Sequence, residues 1–257
     1  MVLFRVRLYL IPFTSNGADL VLFEHSGGSQ VLADALLNNV KVKPVYYHRV
    51  TAIKEVQGDD YQSMLLIADR RDDPRIVNDT FERKYSNVIC TLPLSVIRTV
   101  DLEDTYLSIG QRNALRELLY SPSVKFGIQF KTPWWEELGI FGGQSHTDRP
   151  ARSVVYPSYG PGVGGGAKSN VLIASYNGMQ DSQRLGALMK GRDSSEEKIL
   201  LNLIMNDLAA IHNVPIEKIW EQYVDYYAWD WYSSSFSLGQ HSCLYHSYLS
   251  LTLSLLF

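Results

Sequence analysis

The sequence predicts a mixed α/β (α+β) fold, and three observations carry that prediction. Val124, Phe126, Ile128 and Phe130 alternate strictly with Lys125, Gly127 and Gln129, the period-two pattern of a strand with one buried face. Ile199, Leu203, Ile204, Leu208 and Ile211 recur at helical spacing behind Ser194 and Glu197, which stand at capping-box separation. Two runs, residues 40–56 and 64–68, flank the turn Gly58-Asp59-Asp60 and read as a hairpin.

The remaining elements follow from the same signals. Ser26-Gly27-Gly28-Ser29 ends a short apolar run, and Val31, Leu32, Ala35 and Leu36 then recur at helical spacing. Residues 70–75 form a charged loop closed by Pro74, and 76–81 and 88–92 read as strands. The second of these has no polar alternation, so burial on both faces is expected. Residues 94–100 and 109–119 look helical, the latter with Leu115, Leu118 and Leu119 on one side. Strands at 154–156 and 171–176 are separated by the glycine run 160–166. Pro215 closes the long helical region, and the aromatic stretch 219–229 reads as strand. Beyond Asp230 there is no Lys, Arg, Asp or Glu, so residues 233–257 are expected to be a Ser/Leu-rich tail without assigned structure.

Composition narrows the function. A chain of 257 residues, 46% apolar and 20% charged, is long enough to bury a sizeable core. A net charge of -3 gives no footprint for a phosphate backbone, so no nucleic-acid partner is expected. Two cysteines make no disulfide framework. Arg5 and Arg7 interrupt the apolar N-terminus and no small-residue cleavage site follows. No apolar run reaches the ~18 residues of a spanning helix. These readings favour a soluble chain with no membrane partner, cytoplasmic or peroxisomal rather than secreted.

Candidate chemistry is sparse. The run from Gly160 to Gly166 imitates a dinucleotide fingerprint, but a strand follows where a helix is required, so a hairpin loop is expected. There is no phosphate loop of the GxxxxGK[ST] type and no nucleophile elbow. His241, Cys243 and His246 have no second cluster to complete a metal site, so no metal is expected. His25, His48, His146 and His212 are scattered and read as surface or capping residues. Asn78-Asp79-Thr80 is a glycosylation sequon that matters only in a secreted chain. By alternation Lys125 is a solvated lysine on an open strand face. Trp134, Trp135, Tyr223, Tyr226, Tyr227, Trp229, Trp231 and Tyr232 fit either a core or an apolar substrate cage, and pattern leaves both open.

Residues 125–135 (KFGIQFKTPWW) resemble the lysine-bearing strand and aromatic-Trp pair of the flavin-containing amine oxidases. Residues 139–148 (GIFGGQSHTD) through Arg152 to Tyr156-Pro157 resemble the L-amino-acid oxidase branch. Residues 172–176 (LIASY) with Asp181, and 207–212 (DLAAIH), continue it. Earlier, Gly27-Gly28, residues 50–53 (VTAI) and 87–94 (NVICTLPL) are similar to the family's flavin-domain pieces, in the same order. The resemblance covers roughly residues 23–232.

That resemblance implies part of a glutathione-reductase-like FAD-binding domain interleaved with a mixed-sheet-plus-helices substrate domain. It places a partial FAD-binding domain at 20–92 and a substrate domain at 93–232, after an unrelated segment at 1–19. It implies FAD as cofactor, oxygen as oxidant, an amino acid or amine as substrate, and a homodimer. Lys125 matches the catalytic lysine that holds a water at the flavin, Tyr176 the tyrosine that binds the substrate carboxylate, and Val50 the valine whose backbone meets the adenine end of FAD. The expected reaction takes an L-amino acid to its 2-oxo acid, ammonia and hydrogen peroxide. Two departures matter: the strand–GxGxxG–helix that seats the pyrophosphate and the helical insertion bearing a carboxylate-binding arginine have no counterpart here. An inactive fragment, truncated at both ends, is therefore the expectation. A monoamine or polyamine oxidase, or a non-catalytic module derived from the oxidase, stands as the alternative.

Overall fold

The alternating residues around Lys125 form an interior strand of a five-stranded sheet. The computed structural model describes residues 30–57, 62–70, 80–102, 107–157 and 169–243. The chain divides into two compact units, Met1–Pro44 and Val45–Phe257. In the first, helix α1 (Gln30–Asn39) forms as the apolar spacing predicts, and none of its residues is buried.

The second unit opens with a three-stranded antiparallel sheet. Strand β1 (His48–Gln57) pairs with β2 (Gln62–Arg70), and β2 with β3 (Thr80–Tyr85). Residues 40–47 do not join β1, contrary to the run expected at 40–56. Pro44 has no N–H to give to a ladder, and the residues beside it are exposed. Asp101 extends β1 in parallel: Ile53 N–H donates to its carbonyl (3.0 Å) and its own N–H donates to Thr51 O (2.8 Å).

The strand expected at 88–92 is absent. These residues form no regular element, and Ile89 is 89% exposed. An apolar run becomes a buried strand only when neighbours satisfy its backbone, and no described strand pairs with it. Helix α2 is short (Leu94–Ile97). Helix α3 (Ile109–Glu117) starts at a full capping box that the sequence reading missed. Ser108 Oγ accepts from Gln111 N, and Ser108 N–H donates to Gln111 Oε1.

Strand β4 (Leu119–Ser121) leads into β5 (Ser123–Phe130), which runs between two antiparallel partners. These are β8 (Val171–Gly178) and β9 (Tyr223–Asp230); the hairpin strands β6 (Gln144–His146) and β7 (Ser153–Val155) complete the order β6-β7-β8-β5-β9. The glycine run between β7 and β8 lies outside the described residues, as do residues 76–79 and 244–257. Strand β10 (His241–Cys243) pairs with β4, giving the beginning of the expected tail a place in the fold.

Three helices follow β8. Helix α4 (Met179–Gly186) continues directly from it, α5 (Ser195–His212) covers the sheet, and α6 (Ile216–Gln222) precedes β9. Pro215 starts α6 instead of closing the helical region, since a proline costs nothing at a helix N-terminus, where the first amides are unpaired anyway. The strand expected at 219–229 therefore begins only at Tyr223. Ser194 Oγ accepts from Glu197 N (3.1 Å), but the reciprocal half of the expected box is not made. Glu197 turns inward, accepting from Gly191 N–H (3.2 Å) and from the Tyr226 hydroxyl (2.9 Å).

Val124, Phe126, Ile128 and Phe130 pack with Leu172 of β8 and Leu200, Ile204, Met205 and Leu208 of α5. Burying each such side chain contributes about 1.5–3 kcal/mol, which fixes which face of β5 is inward. Trp134 and Trp135, in a 3₁₀ turn (Trp134–Leu138), join that core edge-on to Phe130, and Tyr226 stacks on Phe126. Of the aromatics left open between core and cage, these three belong to the core. Among the described residues, no single helix is long and apolar enough to cross a membrane.

Candidate active site

The opposite face of β5 carries Lys125, Gly127 and Gln129. Cross-strand partners share a face, so Lys125 is flanked by Tyr176 of β8 and Trp229 of β9, and Gly127 by Ile173 and Tyr227. Tyr176 reaches that face through a bulge. The register shifts between Phe126 and Gly127, Ala174 and Ser175 are buried in succession, and the alternation resets. Without the bulge, Tyr176 would share the inward face with Leu172 and Ala174.

Lys125 is half-buried, and its Nζ lies 4.7 Å from the centroid of the Tyr176 ring. The Tyr176 hydroxyl accepts from Gln240 Nε2 at 2.7 Å. Trp229 lies between Tyr227, which it stacks on, and Trp231, which it meets edge-on. The indole N–H groups of Trp229 and Trp231 are buried and find no acceptor among the described residues. A Cβ at Gly127 would make only ordinary contact, 3.8 Å from Tyr227 O, so the sheet itself does not demand glycine there.

A cavity of about 410 Å³ opens beside Tyr176, lined also by Arg152, Asn177, Met179 and Asp181. Its wall is pinned from the core. Asp207 of α5, 2% exposed, accepts from Arg149 Nε (2.7 Å) and from Ala151 N–H (2.8 Å). Ser175 Oγ donates to Ala151 O and Asn177 Nδ2 to Pro150 O. These bonds hold Arg152 at φ 55°, where its Nε lies 3.3 Å from Asp181.

Val50 lies elsewhere, on β1. It lines a cavity of about 690 Å³ with Tyr46, Tyr47, Val96, Val100 and Phe236, within the size range of small-molecule sites. The segment after β9 borders both places: Phe236 lines the Val50 cavity, and Gln240 bonds Tyr176.

His212 stands in the last turn of α5 and bonds a carbonyl of its own helix there, as expected of a capping residue, but it is half-buried and not at the surface. Its Nδ1 donates to Leu208 O (2.7 Å), so in the neutral ring Nε2 is the acceptor and takes the Tyr156 hydroxyl (2.5 Å). Tyr156 in turn accepts from Ser145 Oγ (2.9 Å), and Trp134 meets the imidazole edge-on. Burial lowers the His212 pKa below its ordinary value, against a smaller rise from the Leu208 carbonyl. Burial likewise raises that of Tyr156.

Lys125 and Tyr176 thus come together while Val50 lines a separate cavity. Trp229, left open between core and cage by pattern, is placed beside Lys125 by register; the bulge and Gln240 lay beyond sequence reasoning, since register and a contact 64 residues apart leave no local pattern. The donor set suits a flavin: the isoalloxazine edge is rich in acceptors, and this face carries the Lys125 ammonium with the Trp229 indole beside it.

The profile of the flavin containing amine oxidoreductases matches residues 7–248. L-amino-acid oxidase 4 of Hebeloma cylindrosporum is 45% identical over 226 residues, 83% of this chain and 34% of that protein. The flavin-dependent L-tryptophan oxidase RebO of Lentzea aerocolonigenes is 30% identical over 65% of this chain and 32% of its own length. The chain therefore spans about a third of the length of these two relatives. Among solved structures, a redesigned putrescine oxidase superposes with a TM-score of 0.61 at 18% identity, covering 84% of this chain and 41% of that one. At that identity the likeness speaks for the fold alone. With the family profile extending over nearly all of the sequence, the chain belongs to the flavin containing amine oxidoreductases.

Proposed function

We propose that this chain carries the substrate side of an FAD-dependent L-amino-acid oxidase. One observation carries the reading: Lys125 and Tyr176 face each other on the open side of the sheet, in a chain 45% identical to an L-amino-acid oxidase over most of its length. When bound, the flavin would accept a hydride from the substrate α-carbon and pass the electrons to oxygen, giving peroxide; the imine hydrolyses to 2-oxo acid and ammonia.

The chain's own residues would do the rest. Lys125, partly shielded by Tyr176 and Trp229, would hold a water against the reacting edge of the ring. The Tyr176 hydroxyl would donate to the substrate carboxylate, a charge-assisted bond. The Val50 cavity, with its aromatic and aliphatic lining, suits the adenine end of the cofactor, the β1 backbone supplying the polar contacts. We assign residues 20–92 to the flavin domain and 93–232 to the substrate domain on their resemblance to the family's two domains.

Expressed by themselves, these 257 residues are expected to be colourless and inactive on L-amino acids. The glycine-rich run at 160–166 is followed by strand β8, not by a helix whose amides could seat a pyrophosphate. A yellow, peroxide-producing preparation would overturn that expectation. The substrate assignment is tested on the product of the transcript read through both ends, by peroxide release from L-amino acids and from putrescine. Turnover of the amino acids supports the reading; turnover of putrescine alone overturns it.

A further inference from the structure

Gln240 has no part in the roles assigned above, yet its position is tightly determined. Its backbone N–H donates to Ser121 O (3.0 Å), and the N–H of Gly239 donates to Trp231 O (2.9 Å). Gly239 sits at φ 132°, and a Cβ there would lie 2.4 Å from Tyr120 Cβ. The backbone at 239–240 therefore has one path, and from it the side-chain amide reaches the Tyr176 hydroxyl at 2.7 Å.

A phenol hydroxyl has one proton to give and lone pairs with which to accept. With the amide N–H donating to the oxygen, the Tyr176 proton is left for another acceptor. Lys125 does not compete for it, being a cation that lies over the ring. A carboxylate offers only acceptors, whereas an ammonium offers only donors. We propose, building on the L-amino-acid reading, that Gln240 is a positioning and specificity-determining residue. By donating to the Tyr176 oxygen it turns the hydroxyl proton toward the substrate carboxylate and biases the site against simple amines.

The test uses the full chain, two probes and a double-mutant cycle. The probes are 3-phenylpropanoate, which keeps the carboxylate, and 3-phenylpropylamine, which keeps only the amine; binding is read by calorimetry. Gln240→Met keeps the side-chain length without the donor. It should weaken 3-phenylpropanoate about 3- to 10-fold, the worth of one hydrogen bond, and leave the amine unchanged. In a Tyr176→Phe background the same substitution should have no further effect, because Gln240 acts through that hydroxyl. Independently of any ligand, the Gln240 side-chain amide protons should move upfield in the NMR spectrum of Tyr176→Phe.

An amide resonance that ignores Tyr176→Phe, or a Gln240→Met loss equal in both backgrounds, overturns this inference alone. Preference for the amine over the carboxylate, or no binding of either at millimolar concentration, overturns it together with the amino-acid reading.

Discussion

The ammonium nitrogen of Lys125 lies 4.7 Å from the centre of the Tyr176 ring, its partner across β5 and β8. The contact lies on the half-buried face of the sheet, opposite the packed core. Position 125 is therefore free to serve chemistry, since no core packing depends on it.

Lys125→Met should leave the fold intact. The lost ammonium–ring contact is worth about 0.5–2 kcal/mol, a small drop in melting temperature by calorimetry. If the product of the transcript read through both ends is the flavin oxidase proposed above, the same substitution in it should lower turnover about 100- to 10,000-fold, the usual contribution of a positioned proton-transfer group. Collapse of the fold with no separable effect on turnover would make Lys125 structural.

Asp207→Ala should be far more damaging. It removes the acceptor of both Arg149 and the Ala151 amide, which anchor the wall of the Tyr176 cavity. Arg149 remains half-exposed and keeps access to water, so the cost is on the order of 3 kcal/mol, mostly from the buried amide and the lost charge-assisted bond. Urea denaturation measures it.

Acid should destabilise the protein through His212. Its folded pKa lies below the ordinary 6.5, so the unfolded chain takes up the proton first. The stabilising contribution of the neutral ring is whole above pH 6.5, shrinks as the pH falls below that value, and is gone beneath the folded pKa. Melting temperatures over about pH 5 to 8 should fall on the acid side, and His212→Gln should flatten that limb.

Gly239→Ala should cost more than the roughly 1 kcal/mol of an ordinary turn glycine. The new Cβ meets Tyr120 at 2.4 Å as well as an unfavourable φ. A drop in melting temperature, with displaced Gln240 amide resonances, is the expected outcome; a silent substitution would mean that the 239–240 backbone is not fixed.

The sequence was legible where one signal dominated. The alternation around Lys125 announced β5 and its inward face, and the spacing behind Ser194 announced α5. It misled where tertiary partners decide. The run at 88–92 is as apolar as a buried strand but has no described neighbour, and the aromatic stretch after Pro215 divides between α6 and β9. Glu197 stands where a capping box would put it and is drawn instead to Tyr226. In the candidate site, Lys125 and Tyr176 were recognisable by resemblance. The bulge at Ala174 that turns Tyr176 toward Lys125 depends on register with β5, which leaves no mark in the composition of β8.

The most direct measurement is an NMR titration of the chain, labelled at lysine, tyrosine and tryptophan, with lumiflavin, the isoalloxazine ring without its phosphate-bearing tail. If this face receives the flavin, the resonances of Lys125, Tyr176 and the Trp229 indole will shift together and saturate with one dissociation constant. Saturable shifts confined to other surfaces, with these three residues unmoved, would contradict the account.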